Sequence, residues 1–296
     1  MTLAPAALDE DFVRTAAAAP LDDEVRSALV AFAADSGRDG SLLLRRLPVG
    51  AVPATPPRPG VPTGKDYTSE HTLLSVACVL GEPIGYVQEH GGGLVQDIVP
   101  DRASRDRQVS SSSTVTLAWH TETAFHPHKS RYLLLLCLRG DPQAVTMLCS
   151  LERIRPHLDA DTIAILREPR FRTRPDASFL DGDGPGAFGP LQPVLSGSPA
   201  RPTFTFDEDL MIGTDPDAQS AFAALAQAVR SHATSVVLEA GDLLAVDNYM
   251  TVHARSPFPA RFDGNDRWLQ RAFVVTDLTP SATEREGRIV TTRFLA

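Results

Sequence analysis

Cysteine is nearly missing, with three residues in 296, at Cys78, Cys137 and Cys149. They are too few and too scattered for a disulfide framework. Cys137 and Cys149 lie inside apolar runs and read as buried free thiols. A basic surplus is missing too: 28 Lys and Arg stand against 37 Asp and Glu, a formal net charge of −9. That balance argues against a nucleic-acid partner and leaves a small molecule as the expected one. No apolar run approaches the ~20 residues that span a bilayer, so no membrane partner is expected. Residues 1–11 show no basic stretch followed by an apolar one, so no signal peptide is read there and the expected location is cytoplasmic. Internal repeats and low-complexity tracts are lacking as well.

What is present is enough apolar material for a large core, 43% of the residues. The chain is read as one domain over 1–296, because β barrels and sandwiches with added helices reach this length as single units. Residues 1–80 are its expected helical flank. There, 21–34 carries acids in its first turn and apolar side chains at helical spacing, ending at Ser36-Gly37. A second helix is expected over 69–80. A first core strand is expected over 41–47, and six prolines between Pro48 and Gly64 mark a surface loop.

Two β-prone runs around Gly91-Gly92-Gly93 predict a hairpin over 84–99. The apolar runs 132–138 and 144–148 read as central strands, with further strands over 202–206, 235–252 and 268–275. Helices are expected over 151–166, broken near Pro156, and over 217–232, started by Asp215-Pro216. Residues 167–201, rich in proline and glycine, are irregular and form a candidate lid insert. Many short strands with a few flanking helices give the fold class: mostly β, α+β, of the jelly-roll kind.

The stretch that organises the rest is Leu117-Ala-Trp-His-Thr-Glu-Thr-Ala-Phe-His-Pro-His128. His120 and Glu122 are two residues apart, and in an extended segment such side chains leave the same face. A second histidine from another strand would complete a 2-His-1-carboxylate face, which leaves open positions on non-haem Fe(II). His253 is the candidate, at the far end of an apolar strand that opens at Gly241-Asp242 and passes Asp247-Asn248. His126 and His128 compete, but Pro127 between them and their lack of a carboxylate partner favour a turn. Arg267 lies fourteen residues beyond His253, and Arg271 four beyond that. On one strand the two share a face, pointing either into the barrel or along a solvated edge.

This combination resembles the clavaminate synthase-like branch of the Fe(II)/2-oxoglutarate-dependent oxygenases, which includes free-amino-acid β-hydroxylases acting on arginine and asparagine. The likeness runs over about residues 81–275 and implies a double-stranded β-helix. It implies an enzyme that uses Fe(II), 2-oxoglutarate and O2 on an unactivated C–H bond of a free, basic L-amino acid or derivative. Hydroxylation in natural-product biosynthesis, antibiotic biosynthesis included, is the implied outcome, with desaturation or ring closure as alternatives on the same residues.

The resemblance also implies the site. His120, Glu122 and His253 would hold the metal, and Arg267 would clamp the distal carboxylate of 2-oxoglutarate bidentately with Thr146 assisting. Arg271 would hold the substrate α-carboxylate. Glu122 and Gln88 are the candidates for its ammonium, with Gln96 in the same predicted hairpin competing with Gln88. Ser110 aligns with a substrate-contacting serine or is a plain turn residue. Asp207 and Asp209 either face a cationic end group, attracted in a reduced dielectric, or form a solvated acidic turn. The rival class is a zinc-dependent hydrolase or lyase on a cupin-like barrel, which gives Arg267 no role at its spacing.

Overall fold

The computed structural model describes residues 10–61, 64–182, 184–198 and 201–296. The first nine residues of the expected flank, and 183, 199 and 200 of the expected lid, lie outside the described residues.

Alternation along the strand Tyr132–Arg139 sets the layering. Successive side chains of a strand point to opposite faces. Leu134, Leu136 and Leu138 enter a cluster with Leu73, Leu74 and Ala77 of the helix Thr68–Leu80. Leu133, Leu135 and Cys137 enter a different one with Leu244, Leu269 and Leu148. Helices therefore cover one face of the large sheet, and a second sheet covers the other. Each leucine buried this way stabilises the fold by roughly 1.5–3 kcal/mol relative to exposure.

The large sheet runs Ser41–Leu44, Leu243–Asp247, Tyr132–Arg139, Trp268–Val275, Glu82–Tyr86, Ile289–Val290 and Arg285–Glu286. The small sheet runs Thr234–Val236, Thr146–Ser150, Thr251–Arg255 and Leu117–His120. Its outer face puts Trp119, Cys149, Val252 and Ala254 against Leu225 and Val229 of the helix Pro216–Ser231. The opposite parity, carrying Thr146, His253 and Arg255, is left facing the large sheet.

Helix starts follow local chemistry. Asp22 accepts from the backbone N–H of Glu24 at 2.9 Å ahead of Asp23–Ala34. Asp215 accepts from Ala218 N–H at 3.0 Å, with Pro216 supplying the preset first turn. The strand and helices expected over 41–47, 69–80, 132–138, 151–166 and 268–275 are present with bounds shifted by a few residues at most. The helix Glu10–Ala18 was not expected. Cys137 and Cys149 are buried and free, as read. Among the described residues no helix is long and apolar enough to cross a membrane.

The predicted hairpin over 84–99 does not form. Glu82–Tyr86 pairs with 273–275, and Gln96–Ile98 pairs with 269–271, both antiparallel to the same strand. The two pieces lie along the same side of that strand, interrupted by an excursion over 87–95, and the first is covered in turn by Ile289–Val290. The eight-residue ladder of Trp268–Val275 gives both pieces a longer partner than either gives the other. The excursion folds back so closely that a Cβ on Gly85 would lie 2.2 Å from the Gly92 carbonyl oxygen. That loop carries Glu89, one of the site residues described next.

Candidate active site

His120 closes the strand Leu117–His120 and pairs directly with His253 across the small sheet. Their rings lie 4.2 Å apart between centroids. Glu122 does not share the strand: the chain turns over 122–125, with Thr123 at φ 50°. The carboxylate reaches the histidines from that turn, a correction to the extended geometry expected from spacing alone. Asn248 holds the turn. Its Oδ1 accepts from Glu122 N–H at 2.7 Å, and its Nδ2 donates to the carbonyls of Glu122 at 3.0 Å and Ser130 at 2.9 Å.

The Nε2 atoms of His120 and His253 stand 3.6 and 3.3 Å from Oε2 of Glu122. One ligand atom from each of the three lies within 4.8 Å of the others. Nδ1 of His120 is 2.7 Å from the Ala118 carbonyl, which fixes its N–H there and turns Nε2 to the site. Two imidazole nitrogens and one carboxylate oxygen on one face form a donor set suited to a divalent first-row ion.

Electrostatics favour the ligand forms of Glu122 and His253, while His120 holds a proton against Glu122 that a bound cation would displace. Burial works to raise the pKa of Glu122, but the Arg271 charge and the two histidines outweigh it and hold the carboxyl well below its usual range. Burial and the neighbouring His120 push His253 down to about 4. Burial likewise opposes charge on His120, yet its bond to Glu122 raises it to about 9.

These residues line a cleft of about 850 Å³, mouth included, between the two sheets. At one end, buried Arg267 and Thr146 line it. Arg267 makes no hydrogen bond or ion pair among the described residues, and burial lowers it to about 10. Arg255, cross-strand from Thr146, lines the same end. Burial and the Arg267 charge push it down to about 9. Two crowded, desolvated guanidiniums with no carboxylate between them form a place prepared for an anion.

Beside the ligands, Arg271 donates to Oε1 of Glu122 at 2.9 Å and also to Glu89 and Gln96. Among the described residues, Oε2 of Glu89 is buried with no hydrogen-bond partner. Asp207, bridged through the backbone to His120, and Asp176 also line the cleft. Burial, with a contribution from Asp176, raises Asp207 to about 6, and burial raises Asp176.

The sequence-derived candidates thus divide. His120, Glu122, His253, Arg267, Thr146, Arg271, Ser110 and Asp207 meet in the cleft. Gln88 does not line it: the amide accepts from Phe294 N–H at 2.7 Å and donates to the Phe294 carbonyl at 2.9 Å. Asp209 does not line it either and is exposed, because Asp207 spends one oxygen accepting from the N–H groups of Asp209 and Leu210, which turns the chain outward.

His126 and His128 also lie off the cleft. His126 accepts from His128 N–H at 2.9 Å and packs 4.7 Å from the Tyr86 ring. Residues not singled out from sequence are Glu89, Asp176 and Arg255. Arg255 had a readable signal, lying two residues from His253 on one strand. Glu89 and Asp176 sit in loops, where no period announces which side chain turns inward.

A family model described as taurine catabolism dioxygenase TauD, TfdA family, matches residues 60–273. The chain is 39% identical to the L-lysine 3-hydroxylase of Catenulispora acidiphila, over 94% of this chain and 79% of that one. It is 35% identical to clavaminate synthase 2 of Streptomyces clavuligerus, over 91% and 85%. The crystal structure of an asparagine oxygenase with Fe(II), 2S,3S-3-hydroxyasparagine and succinate superposes with a TM-score of 0.88, at 36% identity, covering 99% of this chain and 93% of that one.

Proposed function

The chain belongs to the TauD, TfdA family of dioxygenases, and from that premise we propose that it hydroxylates an unactivated C–H bond of a free, basic L-amino acid or derivative in natural-product biosynthesis. It is an Fe(II)- and 2-oxoglutarate-dependent dioxygenase. When bound, the iron and its cosubstrates supply the oxidising chemistry: one atom of O2 goes to succinate as 2-oxoglutarate loses CO2, and the other goes to the substrate. The observation that carries the reading is the convergence of His120, Glu122 and His253 in a cleft also lined by the Arg267 cation, which has no ion-pair partner among the described residues.

The roles follow from charge and position. His120, Glu122 and His253 hold the iron on one face. Arg267 and Thr146 seat the distal carboxylate of 2-oxoglutarate, with Arg255 adding positive potential. Arg271 holds the substrate α-carboxylate, because its guanidinium is already oriented by Glu122, Glu89 and Gln96. Oε2 of Glu89, lacking a partner, accepts from the substrate ammonium together with Glu122, the part Gln88 was expected to play. Ser110 borders this group. Asp207, assisted by Asp176 rather than Asp209, faces the cationic end of the side chain.

The two facing sheets are the double-stranded β-helix that carries this site, the whole chain 1–296 acts as one oxygenase unit, and 167–201 is its lid. The location we assign is the cytoplasm.

The deciding experiment incubates iron-loaded enzyme with 2-oxoglutarate, O2 and a pool of free amino acids. Mass spectrometry should find a basic amino acid heavier by one oxygen, formed with stoichiometric succinate. His120→Ala should abolish both iron retention and product. Loss of two hydrogens instead would assign desaturation or ring closure. Tight zinc with no O2-dependent succinate would sink the oxygenase reading.

A further inference from the structure

We propose that the segment 284–295 is a positioning strap for the arm Asp176–Asp181, with Phe294 as its anchor and Gln88 as its clasp. The proposal rests on the substrate reading above, since the arm contributes Asp176, Ser178 and Phe179 to the cleft.

The strap can be followed residue by residue. Ile289–Val290 adds a parallel strand to Gly85 and Tyr86 at the edge of the large sheet. The Val87 N–H continues that ladder by donating to the Val290 carbonyl at 2.9 Å. Four residues on, Phe294–Leu295 pairs in parallel with Leu180–Asp181 of the arm. Gln88 engages both backbone polar groups of Phe294 with one amide. The Phe294 ring then meets Phe125 edge-on at 5.1 Å, and Phe125 meets Phe179 edge-on at 5.0 Å. Phe125 and Phe179 both line the cleft, whereas Phe294 and Gln88 do not.

Phe179 also packs edge-on against Tyr86 at 5.5 Å, while the backbone beyond it rests on the strap. Leu180–Asp181 has no strand partner other than Phe294–Leu295 among the described residues. Beyond it come Gly182, Gly184 and Gly186, at φ 119°, 147° and 66°, conformations that hold no side chain in place. A two-residue pair flanked by glycines is marginal alone. The aromatic relay and the glutamine clasp therefore set how firmly Asp176 and Phe179 close over a substrate. Phe294 and Gln88 act through the arm, not on the substrate, and any effect on turnover must pass through it.

The test compares Phe294→Ala, Gln88→Ala and Phe294→Leu with Leu295→Ala, the last altering a side chain that is 71% exposed. Phe294→Ala should raise the KM for the basic amino acid about threefold to tenfold, the range a lost aromatic contact gives. It should also raise succinate formed per hydroxylated product, with iron retention and the KM for 2-oxoglutarate unchanged. Phe294→Leu should recover part of the loss, Gln88→Ala should repeat it, and Leu295→Ala should match wild type.

Hydrogen exchange supplies a readout without catalysis: in metal-free protein, amides over 176–181 should exchange faster in Phe294→Ala and Gln88→Ala. Exchange there at the wild-type rate in both variants overturns the strap. So does a parallel rise of both KM values with a lowered Tm, the mark of general destabilisation. A wild-type enzyme with no amino-acid turnover refutes the functional reading instead, and the exchange comparison still decides the strap.

Discussion

At the scale of single residues the cleft sets cationic and acidic side chains around the three ligands, and each sign makes a separate prediction. Arg267 is buried, cationic and unpaired among the described residues, so its contribution is realised only when an anion arrives. Arg267→Met should raise the KM for 2-oxoglutarate about 10- to 100-fold, the equivalent of ~1.5–3 kcal/mol for a charge-assisted pair, with iron content unchanged. Among the acids the two aspartates part company. Asp207→Asn should raise the KM for a basic amino acid while leaving that for 2-oxoglutarate alone, and Asp209→Ala should leave both alone. Equal effects from the two substitutions would return the pair to one shared role.

His126 makes a different kind of prediction. Burial and the neighbouring His128 depress its pKa to about 3 from an ordinary 6.5. The folded protein therefore excludes a proton that the unfolded chain binds. The neutral ring's stability is fully present above pH 6.5 and is lost as pH falls from there toward 3, at up to about 1.4 kcal/mol per pH unit for one site. His126→Leu should flatten the acid limb of a Tm-against-pH profile relative to wild type. Parallel limbs would show that His126 carries none of it.

Elements place these residues with unequal legibility. Where a site residue sits in a strand, period two carries it: Thr146, His253 and Arg255 share one face of the small sheet, while Arg271 shares one face of Trp268–Val275 with Leu269 and Phe273, and Arg267, just ahead of that strand, lines the same cleft. Where it sits in a turn, a partner far along the chain decides. Glu122 is aimed by Asn248, 126 residues away. Asn248→Ala would leave the Glu122 N–H and two carbonyls buried without their partner, at ~1–3 kcal/mol for each unsatisfied group. Lower Tm together with weaker iron retention is the expected result, read by calorimetry and metal analysis. Wild-type iron affinity in that variant would show that the turn holds itself.

For the molecule as a whole, the large sheet separates stability from chemistry. Leu134 and Leu135 are chain neighbours on opposite faces, Leu134 against the helices and Leu135 lining the cleft. Leu134→Ala should cost ~2–5 kcal/mol of unfolding free energy by cavity formation, visible in denaturant titration, with both KM values intact at temperatures where it stays folded. A change in the KM for 2-oxoglutarate would mean that the helical face and the cleft are mechanically coupled.

What the amino-acid order determined alone is whatever is local: the apolar runs of the strands, the helix starts near Asp22 and at Asp215, and the spacing of His120, Glu122, His253 and Arg267. Such signals survive because the strand and helix periods are properties of the backbone itself. Only the tertiary structure decided between near neighbours in loops, turning Glu89 inward and Gln88 away, and Asp207 inward and Asp209 out. It also cut the predicted hairpin over 84–99 into two pieces that pair with one side of Trp268–Val275. Those outcomes depend on which distant ladder or amide satisfies a given backbone group, and no local period encodes that partner.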